Sequence, residues 1–362
     1  MKRRAFLGGA IAGLAACAPS ATSTGGPGVA TGKRVQWRLA SSFPRSLDTI
    51  FGAADVMAER VKAMTGGMFD IRVYPAGELV PALQVMDAVQ QGTVHVGQTG
   101  SYYYIGKNAA LAFDTCVPFG FTARQQAAWL LEAGGLELIN EVYADFGIVA
   151  FPGGNTGVQM GGWFRKPVES LAGLKGLKMR IPGMGGKVME RLGVLPQVLA
   201  GGEIYTALER GAIDGTDWVG PYDDLKLGFH KVAKTYHYPG WWEPGPSLSF
   251  LINRKAWDEL PVEYQAVVQA ACREAGVAMM TRYDAKNPAA FQQIKDEGVS
   301  VVPFTEDVMQ GAREASRQML EDEAAADPQY RKILDHWLAF HAASTAWFAT
   351  AERSYAEFAF RV

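Results

Sequence analysis

Residues 35–74 read VQWRLASSFPRSLDTIFGAADVMAERVKAMTGGMFDIRVY, and this stretch decides the fold class of the chain. Apolar and polar residues alternate over 35–39 and again over 69–73, which predicts two strands. Between them, apolar residues recur at helical spacing over 50–61, and Gly66-Gly67 ends the helix. A strand, a helix and a second strand in this order indicate an α/β unit with a largely parallel sheet.

The same kind of pattern continues along the chain. A helix is predicted over 81–91 and a short strand over 94–96, and strand and helix patterns then alternate as far as Val302. The residues from Glu306 to the end have a helical pattern. A chain of 362 residues suggests about two domains, yet no linker-like stretch separates them. We therefore expect the chain to cross between two lobes more than once.

The bulk composition is that of a globular protein, with 48% hydrophobic and 20% charged residues. The formal net charge is −2 and no block of Lys and Arg occurs. Nucleic acid is therefore not an expected partner, because phosphate binding needs a clustered basic surface. Cys116 and Cys272 are too far apart in sequence to indicate a disulfide framework. They could pair in an oxidising compartment, but two separate buried thiols are the favoured interpretation.

The N-terminal residues have the pattern of an export signal. A basic start precedes an apolar run over 5–16, which is too short to cross a bilayer of ~30 Å. Arg3–Leu7 resembles a twin-arginine signal. Leu14–Cys17 resembles the lipobox of bacterial lipoproteins, which would make Cys17 the lipidated first residue of the mature chain. A chance cysteine beside an ordinary cleavage site is the alternative.

The sequence lacks the motifs of several common enzyme classes. None of its five His residues lies in an H-E-x-x-H setting, no C-x-x-C pair occurs, and there is no G-x-S-x-G nucleophile elbow. Gly183–Lys187 superficially suggests a phosphate-binding loop, but it lacks the Walker spacing and the following Ser or Thr. A paired-carboxylate enzyme that uses Asp217 with Asp214 or Glu243 stays open from the residues alone.

Two stretches in the second half of the chain resemble a known family. Leu174–Pro182 reads LKGLKMRIP, and Glu203–Gly215 reads EIYTALERGAIDG. Both resemble signature stretches of the DctP-type substrate-binding proteins of tripartite ATP-independent periplasmic (TRAP) transporters. Gly154–Phe164 and Asp217–Asp224 resemble, more narrowly, the branch of that family that binds 2-oxoacids or lactate together with a metal ion.

The resemblance implies an α/β fold of the periplasmic-binding-protein type, with two lobes, a ligand cleft that closes between them, and long C-terminal helices. Residues 18–32 are rich in Ser, Thr, Gly, Pro and Ala, which is typical of a flexible tether. The expected organisation is an export signal with lipobox over 1–17, a tether over 18–32, lobe 1 over 33–155 with part of 250–305 returning to it, lobe 2 over 156–249, and a C-terminal helical segment over 306–362.

The resemblance also implies a carboxylate site. In the family, an Arg at the end of a Lys-x-Arg strand pairs bidentately with the ligand carboxylate, and Arg180 holds that position. In the metal-assisted branch a cation bridges the protein and the ligand, and the matching positions are Gln159, Asp217, Trp218 through its carbonyl, and Glu243. All of these are oxygen donors, which suit Na⁺, or alternatively Ca²⁺, and not zinc. The plain alternatives are a surface charge at Arg180, a turn cap at Asp217 and a solvated loop charge at Glu243.

Further contacts follow from the residues themselves. Gln159 is a polar residue in an otherwise apolar predicted strand over 158–164, so it needs a partner. Tyr104 follows a strand end, where open α/β sheets bind ligands, and could donate its hydroxyl. Asn155 could supply an amide contact or merely turn the chain. The predicted ligand contacts are Arg180, Gln159, Trp218, Asn155 and Tyr104.

The predicted function is the extracytoplasmic capture of a short monocarboxylate for a TRAP transporter, whose membrane subunits would be the protein partners. Such a protein is not an enzyme. The alternatives are a module of the same fold that serves a sensor or chemoreceptor, and a secreted metal-dependent enzyme. An aromatic face of the last helix, between Tyr330 and Phe348, is either part of the core or a surface that holds a homodimer together.

Overall fold

The structure is a computed structural model that describes residues 28, 29 and 31–361. The predicted export signal, its Cys17 and most of the predicted tether lie outside the described residues. Within them, the strands are β1 (Val35–Ser41), β2 (Phe69–Tyr74), β3 (Val96–Thr99), β4 (Ile148–Asn155), β5 (Trp163–Phe164), β6 (Lys178–Arg180), β7 (Leu195–Gln197), β8 (Gly215–Thr216), β9 (Thr235–Tyr238), β10 (Ser247–Asn253) and β11 (Ser300–Pro303).

The strands form two sheets, each the centre of one lobe. The sheet of lobe 1 has the order β2-β1-β3-β10-β4, and the sheet of lobe 2 has the order β11-β9-β5-β8-β6-β7. In lobe 1, β1 pairs in parallel with β2 and β3, whereas β10 is antiparallel to its neighbours β3 and β4. The carboxyl ends of β1 and β3 therefore share one edge of this sheet, and the loops that follow them meet there.

Helices cover both sheets and form the C-terminal segment. They are α1 (Gly52–Met64), α2 (Val85–Gln90), α3 (Ala112–Thr115), α4 (Ala123–Glu132), α5 (Gly135–Ala144), α6 (Gly183–Arg191), α7 (Gly201–Glu209), α8 (Pro221–Leu227), α9 (Phe229–Val232), α10 (Arg254–Asp258), α11 (Val262–Asp296), α12 (Glu306–Ala326), α13 (Pro328–Phe348) and α14 (Ser354–Ala359). The 35-residue α11 packs on β4 and α1 of lobe 1 and on α8 of lobe 2, so it supports both lobes.

The chain passes between the two sheets three times. It leaves lobe 1 after β4, returns with β10, and leaves again between α11 and β11. The return begins at Ser247 and not at residue 250, and it inserts β10 into the interior of the sheet. β11 pairs with β9 at the edge of the second sheet, so the end of the 250–305 segment belongs to lobe 2.

The strand predicted over 158–164 is wrong for most of its length. Only Trp163–Phe164 pairs with other strands, as β5. Gly157 and Gly162 have φ values of 72° and 84°, which an extended strand does not allow. The residues between them therefore form an irregular connection from lobe 1 to lobe 2.

The C-terminal helices touch both lobes. α12 packs on α6 of lobe 2, and α13 packs on α4 and α5 of lobe 1. The first half of the aromatic face of α13 is core, because its side chains are buried: Tyr330, Ile333, Leu334 and Trp337. Aromatic side chains farther along are between 63% and 75% exposed: Trp347, Tyr355, Phe358 and Phe360. The first half of the predicted face is therefore core, and the exposed aromatic side chains lie beside its end and beyond it.

Two further features bear on the predictions from sequence. Cys116 and Cys272 are both free and buried, which is the interpretation favoured above. In the part of the chain that the structure describes, no helix combines the length and apolarity needed to cross a bilayer.

Candidate binding site between the two lobes

A narrow space with little free volume lies where the two lobes meet, and it is called the cavity below. Residues from both lobes and from the connections between them line it: Phe43, Ile50, Tyr102, Tyr103, Thr156, Gln159, Arg180, Trp218, Val219 and Leu248. Its polar members are shut off from solvent, since Arg180 is 1% and Gln159 4% exposed. A solute can enter only if the lobes separate, so the structure represents the closed state.

Arg180, the last residue of β6, presents its guanidinium to this cavity. Its Nη1 donates to Asp217 Oδ1 at 2.8 Å and to the Asp217 carbonyl at 3.2 Å, and its Nε donates to the Leu199 carbonyl at 3.2 Å. Among the described residues, the one hydrogen-bond partner of Nη2 is the Tyr103 hydroxyl, at 3.4 Å. The Trp218 ring lies over the guanidinium, with its centroid 5.1 Å from the guanidinium carbon. Arg180 is therefore held in place while Nη2 stays available.

This arrangement differs from the simple bidentate pair expected from sequence. Both hydrogens of Nη1 are already engaged by Asp217, one by its carboxylate and one by its carbonyl. A ligand carboxylate that took both terminal nitrogens of Arg180 would have to displace Asp217. Nη2 alone can donate without breaking an existing hydrogen bond to a carboxylate or carbonyl.

Two buried carboxylates lie at this site. The Asp217 N–H bonds to the Arg180 carbonyl at 3.1 Å, which sets the Asp217 side chain beside the guanidinium. Burial raises the pKa of Asp217 to about 6, although Arg180 acts in the opposite direction. Burial also raises the pKa of Glu243 well above its usual value, and the charge of Asp217 raises it further. When both are ionised, one guanidinium cannot neutralise them, which favours a bound cation.

Three buried oxygen atoms of this site have no hydrogen-bond partner: Gln159 Oε1, Asp217 Oδ2 and Glu243 Oε2. A buried polar atom without a partner costs about 1–3 kcal/mol, so three in neighbouring residues indicate that a ligand belongs there. Amide and carboxylate oxygens suit a hard cation such as Na⁺ or Ca²⁺. The described residues contain no group of three or more His, Cys, Asp or Glu side chains that could hold a metal. A cation site here therefore needs the Gln159 amide as well as the two carboxylates.

Backbone hydrogen bonds, and not a strand, position Gln159. Its N–H donates to the Glu243 carbonyl at 3.2 Å, and its carbonyl accepts from the Gly240 N–H at 3.0 Å. Its side-chain amide donates to Thr156 Oγ1 at 3.3 Å. A Cβ on Gly240 would lie 2.6 Å from the carbonyl oxygens of Gln159 and Met160, so a larger residue could not approach this closely. The turn at 240–243 thus holds Gln159 and Glu243 side by side.

Tyr104, a predicted ligand contact, is not part of the cavity lining. Its hydroxyl accepts from the Met86 N–H at 3.2 Å and lies 3.1 Å from Thr99 Oγ1, so it is engaged inside lobe 1. Tyr102 and Tyr103 line the cavity instead. The three tyrosines belong to a 3₁₀ turn, Ser101–Tyr104, in which successive side chains point in different directions. The turn singled out from sequence therefore lies at the cavity, but through Tyr102 and Tyr103 and not through Tyr104.

Asn155 is also outside the cavity lining. Its side-chain NH₂ donates to the Gly245 carbonyl at 3.0 Å, and its Oδ1 accepts from the Gly157 N–H at 2.8 Å. Asn155 therefore turns the chain where it leaves β4, which is the alternative weighed from sequence. Sequence reasoning missed Phe43 and Ile50, although they follow β1 at the same sheet edge as the tyrosine turn, and that position was the available signal.

Two α/β lobes enclose a small, charged cavity, and the chain crossings between them can act as a hinge. This arrangement defines a protein that captures and releases a solute. The chain belongs to the DctP family, the bacterial extracellular solute-binding proteins of family 7, whose model matches residues 40–327. The resemblance noted from the sequence motifs is thereby confirmed, and the family places the protein outside the cytoplasm.

Well-covered relatives support the narrower resemblance. A monocarboxylate 2-oxoacid-binding periplasmic protein of Nostoc sp. is 51% identical over 361 residues, which is 99% of each chain. A TRAP transporter solute-binding protein of Bordetella bronchiseptica is 46% identical with a TM-score of 0.90, covering 91% of this chain and 98% of that one. It was solved as a mixed-occupancy dimer with copurified calcium and picolinate in one site. A TRAP solute-binding protein of Pseudoalteromonas atlantica with bound sodium and pyruvate is 42% identical with a TM-score of 0.87, covering 90% and 99%.

Proposed function

We propose that this protein captures a short 2-oxoacid, such as pyruvate, or lactate, together with a cation, and delivers the acid unchanged to the membrane subunits of a TRAP transporter. The main observation in favour is the group of unpaired oxygens on Gln159, Asp217 and Glu243 beside the Arg180 guanidinium. Arg180 and Gln159 line the cavity, Asp217 and Glu243 adjoin it, and all four are buried, so an anion and a cation can bind there only as a compensated pair.

In this proposal the ligand lies between Arg180 and the three oxygens. Nη2 of Arg180 donates a charge-assisted hydrogen bond to the ligand carboxylate. Gln159, Asp217 and Glu243 hold the cation with the Trp218 carbonyl, and the cation offsets the repulsion between the anionic ligand and the two carboxylates. The apolar lining residues accept the alkyl part of the acid: Phe43, Ile50, Val219 and Leu248.

The cation is proposed to be Na⁺, with Ca²⁺ as the alternative. Oxygen ligands from two carboxylates, an amide and a carbonyl suit either ion, and the relatives solved with sodium and pyruvate or with calcium and picolinate support both. The narrowness of the closed cavity supports a small acid and not a large one.

The N-terminal predictions extend this proposal to the membrane. An export signal over 1–17 would carry the chain out of the cytoplasm, and a lipid on Cys17 would anchor it there. If so, Cys17→Ser releases the protein from the membrane fraction, and the wild-type mature N-terminus has the mass of a diacylglyceryl cysteine. A soluble wild-type protein would contradict the anchor and leave the binding proposal intact.

We further propose that the exposed aromatic residues of the C-terminal region hold two copies of the chain together. Trp347 and Phe358 belong to an uncovered apolar set on α13 and α14, and the dimer of the Bordetella relative supports this assignment. Removal of residues 347–362 should convert a dimer to a monomer in sedimentation velocity. A wild-type monomer at micromolar concentration would contradict it.

The decisive experiment for the binding function is calorimetric titration of refolded, ligand-free protein. Pyruvate, 2-oxobutyrate, 4-methyl-2-oxopentanoate and lactate are each added with Na⁺, with Ca²⁺ and with chelator in potassium buffer. Tight binding that depends on the cation is expected. Binding that ignores the cation would refute the bridged site, and no binding of any acid would refute the 2-oxoacid assignment.

Two other functions are tested alongside. Chromatography of the recovered acid would detect an enzyme, because a binding protein returns its ligand unchanged. A sensor module would bind the same ligands, so a transport assay distinguishes the two functions. Deletion of the gene should abolish uptake of the acid if the protein serves a transporter, and a cellular response to the acid if it serves a sensor.

A further inference from the structure

Lobe 1 reaches across the cleft through the loop between β1 and α1, residues 42–51, which we call the closing loop. The inner side of this loop lines the cavity with Phe43 and Ile50. The Phe43 ring meets the Trp218 ring of lobe 2 edge to face, with centroids 6.4 Å apart. The same loop therefore touches the opposite lobe inside the cavity, and its outer side carries Asp48.

Asp48 is the centre of a cluster outside the cavity. Its carboxylate accepts from the Tyr222 hydroxyl at 3.0 and 3.1 Å and from the Lys286 ammonium at 2.9 Å, and it forms an ion pair with Lys226. Lys226 also donates to the Ser46 carbonyl at 3.2 Å. Tyr222 and Lys226 belong to α8 of lobe 2, and Lys286 belongs to α11. One carboxylate of lobe 1 thus binds two donors of lobe 2 and one donor on α11, the helix that packs on both lobes.

The partners of Asp48 are themselves fixed. The ammonium groups of Lys226 and Lys286 lie over the Tyr222 ring, 4.5 and 4.4 Å from its centroid. The Tyr222 N–H donates to the Asn287 side chain at 3.0 Å, which ties α8 to α11. Among the ion pairs of the described residues, Asp48–Lys226 is the one that joins the sheet-bearing part of lobe 1 to that of lobe 2.

We propose that Asp48 is a positioning residue that holds the lobes closed and thereby sets how long a bound solute stays. No atom of Asp48 lines the cavity, so it acts through Lys226, Tyr222 and Lys286. The contacts to Lys226 and Tyr222 must break before the lobes can separate, because the closing loop and α8 lie on opposite sides of the cleft. The pair is partly exposed, 49% for Asp48 and 30% for Lys226, so salt screens it. Its loss should shift the closed-to-open ratio by about five- to tenfold.

The test compares Asp48→Asn with the matched control Asp70→Asn. Asp70 pairs with Lys62 at 2.8 Å and has a 45% exposed side chain, but this pair lies wholly within lobe 1. Spin labels on Arg72→Cys in lobe 1 and Leu195→Cys in lobe 2 report the distance between lobes in the ligand-free protein. Asp48→Asn should enlarge the population with the longer distance, and Asp70→Asn should leave the distribution unchanged.

Stopped-flow kinetics with pyruvate and Ca²⁺ as the probe provide the second measurement, which depends on the proposed function. Asp48→Asn should raise the dissociation rate about five- to tenfold with an unchanged association rate. In 0.5 M KCl the dissociation rates of the variant and the wild type should lie closer together, because salt screens the ion pair. Lys226→Met should have a smaller effect in the Asp48→Asn protein than in wild type, because the ion pair is already broken and only the contact to the Ser46 carbonyl is left to lose.

An unchanged distance distribution together with an unchanged dissociation rate in Asp48→Asn would overturn this inference, as would equal effects of Asp70→Asn. If wild-type protein fails to bind pyruvate, the proposed ligand is wrong, and the distance measurement on ligand-free protein still decides the role of Asp48.

Discussion

Replacing Glu243 by Gln should weaken ligand binding and at the same time stabilise the ligand-free protein. Gln keeps the shape of the side chain and one oxygen donor but removes the charge. Glu243 is 3% exposed, and its Oε2 has no hydrogen-bond partner. Because burial and the charge of Asp217 raise its pKa, the folded state disfavours the ionised form of Glu243.

The expected gain in stability follows from that shift. A carboxyl group whose pKa is raised on folding stabilises the folded state at low pH. This contribution is lost as the pH rises from the ordinary pKa of the group to its raised pKa in the folded state. An unsatisfied buried acceptor costs about 1–3 kcal/mol, so Glu243→Gln should raise the free energy of unfolding by about 1 kcal/mol or more at pH 8. The gain should be smaller at pH 5, where the wild-type side chain is already protonated.

The expected loss of binding follows from the cation. The affinity of oxygen sites for Ca²⁺ depends strongly on the number of charged ligands, and losing one of two carboxylates should cost about a hundredfold, or about 3 kcal/mol. Calorimetric titration of pyruvate in the presence of Ca²⁺ measures this loss. Urea unfolding in chelator at pH 5 and pH 8 measures the stability, with Glu59→Gln on the exposed surface of α1 as the control.

The two readouts distinguish a ligand-binding Glu243 from a structural one. A structural carboxylate would lose stability when replaced, with a loss of binding that merely follows the unfolding. Lower stability of Glu243→Gln in chelator, or an unchanged dependence of pyruvate affinity on Ca²⁺, would refute the reasoning.

Three further predictions concern the same site. Arg180→Met should lower pyruvate affinity at least tenfold, because one charge-assisted hydrogen bond is worth about 1.5–3 kcal/mol. It should also destabilise the fold, because Asp217 loses its partner. Titration measures the affinity and urea unfolding the stability, and an unchanged affinity would remove Arg180 from the site. The affinity for pyruvate with Ca²⁺ should rise from pH 5 to pH 8. Asp217, with its pKa of about 6, and Glu243, whose pKa is also raised, must lose protons before a cation binds. Titrations across this range in two buffers would also detect the released protons, and an affinity that does not change with pH would exclude both carboxylates from the cation site. Gly240→Ala should weaken cation-dependent binding about tenfold with unchanged circular dichroism, because a Cβ there pushes the backbone of Gln159 away. Wild-type affinity in this variant would show that Gln159 is not needed in this position.

The fold class was predictable because it depends on local pattern. Alternation over 35–39 and 69–73 gave β1 and β2, and the spacing between them gave α1. The insertion of β10 between β3 and β4 was not predictable at that level, since an apolar strand pattern does not identify its neighbours. The false strand over 158–164 arose because alternation ignores the backbone conformations of Gly157 and Gly162.

The candidate site was predictable where a motif specified single residues. Gln159, Arg180, Asp217 and Glu243 lie in separate segments, and the structure brings them together around one cavity and its adjoining unpaired oxygens. Tyr104 was wrong because a 3₁₀ turn decides which of three consecutive tyrosines faces the cavity. Asp48 gave no signal at all, because its role depends on how two lobes meet.

The position of β10 has a consequence for synthesis. β4 pairs with β10 alone, so the first 155 residues to leave the ribosome lack the strand that completes their own sheet. At 5–20 residues per second, a nascent chain would wait roughly 5–20 s between the emergence of β4 and that of β10. During this interval the edges of β3 and β4 are open to chaperones or to other chains. Completion of the lobe 1 sheet thus waits for β10, and lobe 1 cannot be produced as an independent unit by ending the chain after β4.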